Sequence, residues 1–218
     1  MAQTEGVQLR EITFDEALEA ARVENKLVLV ECYSDGCAPC KMMIDKVFPL
    51  KACGDYFNPR YVSITMNTGR AEAKWFRDRY YIGAVPTFLM IAPDGEELGR
   101  YVGADTDPAS FIAKIEAAIQ TSVRVKESKA AYEAGKSMAT GWPYLQALTA
   151  KYEGSGLPAD VRDLIRELYW NSSGFEKFRR EFFTIVMGNI SYGDPIVDDI
   201  CINKPIVDQV IGSEMIDR

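Results

Sequence analysis

Two cysteines two residues apart, in Cys37-Ala38-Pro39-Cys40, stand where a strand-like apolar run gives way to a helical pattern. Upstream, Leu27-Val28-Leu29-Val30 is four consecutive apolar residues, the mark of a central strand covered on both faces. Downstream, Lys41 to Phe48 reads as a helix. A thiol at a helix start lies among amide N–H groups that lack intrahelical partners, at the positive end of the helix dipole. Both influences favour the thiolate. A second thiol one turn further in can reach the first and close a small disulfide. Pro39 suits the first turn because its missing N–H would have gone unpaired there. The pair reads as a dithiol/disulfide redox centre.

Composition narrows the alternatives. The chain has 218 residues, 47% of them hydrophobic, enough for one sizeable core and comfortable for two domains. A net charge of −7 disfavours nucleic acid, whose phosphates need a basic face, and anionic membrane surfaces. No run approaches the ~18 apolar residues of a membrane span. Met1 to Gly6 has neither a basic start nor an apolar stretch, so no signal peptide is expected there. The chain contains no histidine, which removes Ser-His and Cys-His catalysis and most zinc sites. Five cysteines, only two of them at motif spacing, do not make a disulfide-stapled scaffold.

Taken in order, Val7 to Ile12 reads as a short edge strand. Thr13 and Glu16 have capping-box spacing ahead of a helix with Phe14, Ala17, Leu18 and Ala21 on one face. After the helix behind Cys37, Pro49 implies a break, and a polar stretch leads to an alternating strand, Tyr61 to Met66. Asn67-Thr68-Gly69 is a turn, and Arg70 to Tyr81 a helix with Phe76 and Tyr80 inward and Gly83 just beyond it. Val85 to Ala92 is an apolar strand entered through Pro86. Pro93-Asp94-Gly95-Glu96 turns it into a hairpin with Leu98 to Val102. Asp107-Pro108 opens a helix whose Phe111, Ile112, Ile115, Ala118 and Ile119 share a face. This is an α/β order, a sheet with helices on both sides. From about Thr121 only helical faces follow: Leu145, Leu148 and Tyr152; Val161, Leu164, Ile165 and Leu168; and Phe175, Phe178, Phe182 and Ile185. Gly154-Ser155-Gly156, Asn171 to Gly174 and Gly193-Asp194-Pro195 separate them. The expected division is an α/β domain over 1–122 and a small all-helical domain over 123–218.

The first ~120 residues resemble the thioredoxin fold, a central mixed sheet flanked by helices. Cys37-Ala38-Pro39-Cys40-Lys41 is similar to that family's Cys-Gly-Pro-Cys-Lys, and Val85-Pro86-Thr87 to its cis-proline segment. Lys41-Met42-Met43 through Val47-Phe48-Pro49 more closely resembles bacterial thioredoxin-like proteins related to the C-terminal domain of the membrane thiol-reducing protein. The resemblance implies Cys37 as nucleophile, Cys40 as resolving thiol, and Glu31 as a buried acid assisting proton transfer at the second sulfur. It also implies a cis Pro86 that presents the Val85 backbone to an extended substrate chain. Gly36 stands where the family has a tryptophan, opening access to the sulfur or loosening the loop, and Tyr33 replaces a second tryptophan. The helical C-terminal part is not covered.

The expected function is a thiol-disulfide oxidoreductase acting on protein disulfides, in the reducing direction by the resemblance of Pro39 and Thr87, with catalytic Cys37, Cys40 and Glu31 and substrate-binding Gly36, Val85 and Pro86. No cofactor or metal is called for; a redox partner must recycle the pair. Its expected place is the periplasm or another extracytoplasmic compartment as a mature chain, the alternative being the cytoplasm. The alternative function is a thioredoxin-like protein-binding module with a helical docking domain and little redox turnover. Cys32 is expected to be an inert core thiol, and a Cys53–Cys201 bridge is the less favoured reading of those two. Lys41 is either a further stabiliser of the thiolate or simply solvated, and the phenylalanines from Phe175 to Phe183 are expected in helix packing.

Overall fold

The computed structural model describes residues 5–212; the extreme ends of both expected domains, 1–4 and 213–218, lie outside the described residues. The chain divides into two compact units, one of Met1–Arg124 with Ala150–Gly156, the other of Val125–Thr149 with Leu157–Arg218. The boundary expected at 122/123 falls inside a helix that runs unbroken from Pro108 to Ala134, and seven residues from beyond it belong to the first unit.

That first unit is built on four strands, β1 (Leu27–Tyr33), β2 (Tyr61–Asn67), β3 (Thr87–Ile91) and β4 (Glu97–Val102), in the order β2-β1-β3-β4. β1 and β2 are parallel, while β1–β3 and β3–β4 are antiparallel, so the sheet is mixed. β1 occupies the middle and is buried from Val28 to Cys32, as its unbroken apolar run requires. Alternate side chains then feed two cores. Val28, Val30 and Cys32 meet Phe14, Ala17 and Ala21 of α1 (Phe14–Glu24) and Phe76 and Tyr80 of α4 (Lys74–Tyr80). Leu29 joins Phe88, Met90, Met43, Val47, Phe48 and Phe57 with Phe111 and Ile115 of α5 (Pro108–Ala134).

Local signals set several boundaries. Thr13 and Glu16 make the complete capping box of α1. α2 (Ala38–Met42) continues as a π-turn over Met43–Val47, where Phe48 N–H reaches the Met43 carbonyl, and Pro49, without an N–H, follows the break. The supposed polar stretch beyond it holds α3 (Lys51–Phe57), whose Cys53 and Phe57, one turn apart, are buried. The segment read as an edge strand forms a single bridge, Leu9 to Ser63. Its amides go elsewhere, Val7 to the Phe48 carbonyl and Gln8 to the Asn58 side chain, so no ladder forms. Gly83 does not cap α4: Tyr81 does, at φ 45°, in the left-handed region.

The regular elements of the second unit are all helices among its described residues. They comprise the end of α5 from Val125 to Ala134, most of α6 (Met138–Lys151), α7 (Ala159–Asn171), α8 (Gly174–Lys177), α9 (Arg180–Met187), α10 (Pro195–Ile202) and α11 (Lys204–Ile211). Ser173 and Glu176 form the capping box that their spacing implies. The inward face of α9 is Phe182, Phe183 and Val186, not Phe182 and Ile185, and Phe175 points to solvent at 67% exposure. α8 is too short to carry a continuous stripe into α9, and the chain turns between them.

Candidate active site

β1 ends at Tyr33, and Ser34-Asp35-Gly36 turns the chain into α2, with the Cys37 N–H donating to the Ser34 carbonyl at 3.1 Å. Gly36 takes φ 81°, where a side chain is strained, and the space around its Cα is open. This gives a backbone reason for glycine at the position. The loop after β2 braces the turn from outside. Thr68 donates its N–H and hydroxyl to the Tyr33 carbonyl at 2.8 and 3.1 Å, and the Asn67 amide donates to Asp35 at 2.8 Å. The sequence shows Asn67-Thr68-Gly69 only as a turn, because its partners, Tyr33 and Asp35, are more than thirty residues away in the chain.

Cys37 is the N-cap residue of α2, and the Cys40 N–H donates to its sulfur at 3.2 Å. The two sulfurs are joined, S–S 2.01 Å, with their Cα atoms 5.3 Å apart. Cys37 is half-buried and Cys40 buried. An open cavity of about 490 Å³ lies over them, lined by Gly36, Cys37 and Cys40 with Tyr33, Ser34 and Ile44 among others. Lys41 pairs with Asp45 one turn on, at 2.5 Å, so its charge is already engaged on the outer face of the helix.

Glu31 is fully buried, and neither carboxylate oxygen has a hydrogen-bond partner among the described residues. By strand alternation it shares the sheet face of Leu29, the face covered by the helical segment behind Cys37. Burial raises its pKa to about 7. Cys32, the next residue, points to the opposite core, and burial holds its thiol well above the ordinary range. Cys53 is buried too, its thiol pushed up to about 11, while Cys201 is exposed; both are free, so the Cys53–Cys201 bridge is absent.

Strand pairing carries Val85 and Pro86 to one end of the sheet. Thr87 lies opposite Cys32 in the antiparallel β1–β3 register, so the residues preceding Thr87 sit at the end of the sheet from which the Cys37 loop leaves. The Val85–Pro86 peptide bond is cis. The Pro86 carbonyl accepts from the Gly103 N–H at 2.9 Å, and the Thr87 hydroxyl donates to the Ala84 carbonyl at 2.8 Å. The Val85 main chain has no hydrogen-bond partner among the described residues. Val85, Pro86 and Glu31 do not line the cavity over the sulfurs: the first two stand at the same end of the sheet as the Cys37 loop, and Glu31 is buried within β1.

No described helix is long and apolar enough to cross a membrane. Residues 14–119 match the family model of the thioredoxin-like domain. Among curated proteins the chain is 35% identical over 94 residues to thioredoxin H2-1 of Oryza sativa subsp. japonica, covering 43% of this chain and 63% of that one. It is 30% identical over 110 residues to thioredoxin H-type of Oryza sativa subsp. indica, covering 49% of this chain and 84% of that one. With thiol:disulfide interchange protein DsbD of Pseudomonas fluorescens the identity is 29% over 103 residues, covering 45% of this chain and 17% of that protein. The chain thus spans under two thirds of thioredoxin H2-1 and about a sixth of DsbD. The mixed sheet, the joined cysteines at the head of α2 and these matches agree: the chain belongs to the thioredoxin-like oxidoreductase family.

Proposed function

We propose that the chain reduces disulfides in other proteins through Cys37 and Cys40. The observation that carries this reading is the half-buried Cys37 sulfur at the head of α2, accepting the Cys40 N–H and joined to a buried second thiol. In the reduced protein the Cys37 thiolate attacks one sulfur of a substrate disulfide. That S–S bond breaks, a Cys37–substrate bond forms, and the leaving substrate sulfur takes a proton. Cys40 then gives up its proton and attacks the Cys37 sulfur, releasing the second substrate thiol and closing Cys37–Cys40. Two electrons have passed to the substrate, and a thiol donor must restore the pair.

Glu31 is the proton carrier for Cys40 in this reading. A carboxyl with a pKa of about 7 both accepts and returns a proton near neutrality. Val85 offers the substrate chain an N–H and a carbonyl that nothing else among the described residues uses. Gly36, at the rim of the cavity, leaves the approach to the sulfur uncovered. Likeness to DsbD favours action outside the cytoplasm and likeness to the thioredoxins favours the cytoplasm as the alternative; fractionation of the producing cells decides between them.

Insulin reduction tests the whole scheme: Cys37→Ser abolishes it, and Cys40→Ala accumulates substrate joined to Cys37. Undiminished reduction by Cys37→Ser removes the nucleophile. Absence of turnover in the native chain, with a Cys37 thiol titrating near the free value of ~8.5, favours a protein-binding module instead.

A further inference from the structure

Residues 150–156 belong to the first unit and meet it at β4, through Glu97 and Arg100, and at the loop that precedes Val85, through Tyr81 and Gly83. Arg100, only 4% exposed, donates to the Tyr81 carbonyl at 2.7 Å and to the Tyr80 carbonyl, and is held by Glu97 through two bonds of 2.9 and 2.5 Å. Lys151, half-buried like Glu97, completes the charge set 3.0 Å from Glu97. The ring of Tyr152 lies 4.6 Å from the Arg100 guanidinium and meets Tyr81 edge-on at 5.8 Å. Behind it Gly154 and Gly156, both at positive φ, bend the chain so that the Ser155 carbonyl comes against Gly83. A Cβ there would lie 2.0 Å from that oxygen. The loop supplies little of its own order: Ile82, Gly83 and Val85 make no main-chain hydrogen bond among the described residues.

We propose that Tyr152, backed by the Gly154–Gly156 turn, is a positioning residue for substrate binding. It seats the Tyr81–Val85 loop so that the unpaired Val85 main chain stays in register for an extended polypeptide. The inference rests on the dithiol reading above and deepens it: the segment that the family match leaves uncovered completes the peptide-binding edge. The ring is required for this, since it bridges Arg100 and Tyr81; the sulfurs are not touched by it. Loss of the ring therefore weakens recognition of a polypeptide disulfide and spares a disulfide with no backbone to pair.

The test compares insulin with hydroxyethyl disulfide, dithiothreitol recycling the chain of 218 residues, together with hydrogen exchange over 82–85. Tyr152→Ala is expected to raise KM for insulin about three- to tenfold, the equivalent of one cation–aromatic contact. The rate with hydroxyethyl disulfide stays at the native level, exchange over 82–85 quickens, and Tyr152→Phe restores both. Gly83→Ala, whose Cβ would press on the Ser155 carbonyl and the Tyr81 hydroxyl, reproduces the same split with the Tyr152 side chain retained. Equal losses on the two disulfides, or unchanged KM and exchange in a folded Tyr152→Ala protein, overturn the proposal. If the native chain reduces neither disulfide, the dithiol reading fails. The exchange comparison still decides the seating of the loop: faster exchange upholds it and unchanged exchange removes it.

Discussion

The main-chain N–H of Cys40 points at the sulfur of Cys37 across 3.2 Å, so the residue that resolves the reaction in our reading also stabilises the atom that begins it. That contact comes from helix geometry alone, an N-cap side chain meeting the amide three residues on. In the reduced protein it favours the Cys37 thiolate. Alkylation of the reduced Cys201→Ser chain should therefore give one rapid adduct, at Cys37, with an apparent pKa below the ~8.5 of free cysteine. Cys32 and Cys53, buried and with their thiols pushed up, stay unmodified while the protein is folded. Mass spectrometry against pH reads both outcomes; a fast adduct at Cys40 in place of Cys37 contradicts the assignment.

Glu31 makes stability depend on pH in an unusual direction for a carboxylate. Its folded pKa of about 7 lies above the ordinary carboxyl value of 4.5, so the folded state binds the proton more tightly than the unfolded chain. The stability this provides is complete below about 4.5 and is lost as pH rises through about 7. For a shift of this size the loss is of order 3 kcal/mol. Glu31→Gln keeps the shape and removes the titration. Denaturant unfolding of the oxidised protein at pH 5 and pH 8 should show the native chain losing stability and the variant changing far less. Parallel behaviour of the two proteins would falsify the burial argument.

Gly36 holds a left-handed backbone in open space, so a substitution there meets strain and no clash. Gly36→Ala should cost about 1–2 kcal/mol in denaturant unfolding, and Gly36→Asn less, because asparagine tolerates that region better. Equal costs for the two would point to a steric cause.

Phe111 and Phe175 separate core from surface. Phe111 is fully buried among Phe48, Phe57, Phe88 and Tyr101, its ring 4.8 Å from that of Phe88. Phe111→Ala should destabilise by about 3–5 kcal/mol. Phe175, exposed despite its apolar character, should tolerate alanine within about 0.5 kcal/mol. Urea titration measures each, and a large loss at Phe175 would mean that the residue is covered in solution.

What the chain order alone determined is the set of short-range relationships. Cys37 and Cys40 meet because a helix places those positions together. The capping boxes of Thr13 with Glu16 and Ser173 with Glu176 form because their reach is one turn. The central strand at Leu27 declares itself because a run with no polar alternation needs cover on both sides. Tertiary structure decided the rest. Antiparallel pairing of β3 with β1 carries Val85 to the end of the sheet where the sulfurs sit. Exclusion of water by residues remote in sequence raises Glu31 and seals Cys53 in a stretch that looks polar. The return of residues 150–156 to the first unit, and the exposure of Phe175 while Phe178 and Phe182 are buried, follow the same logic. Periodicity reports which face of a segment is apolar, and only the folded chain supplies the partner that covers it.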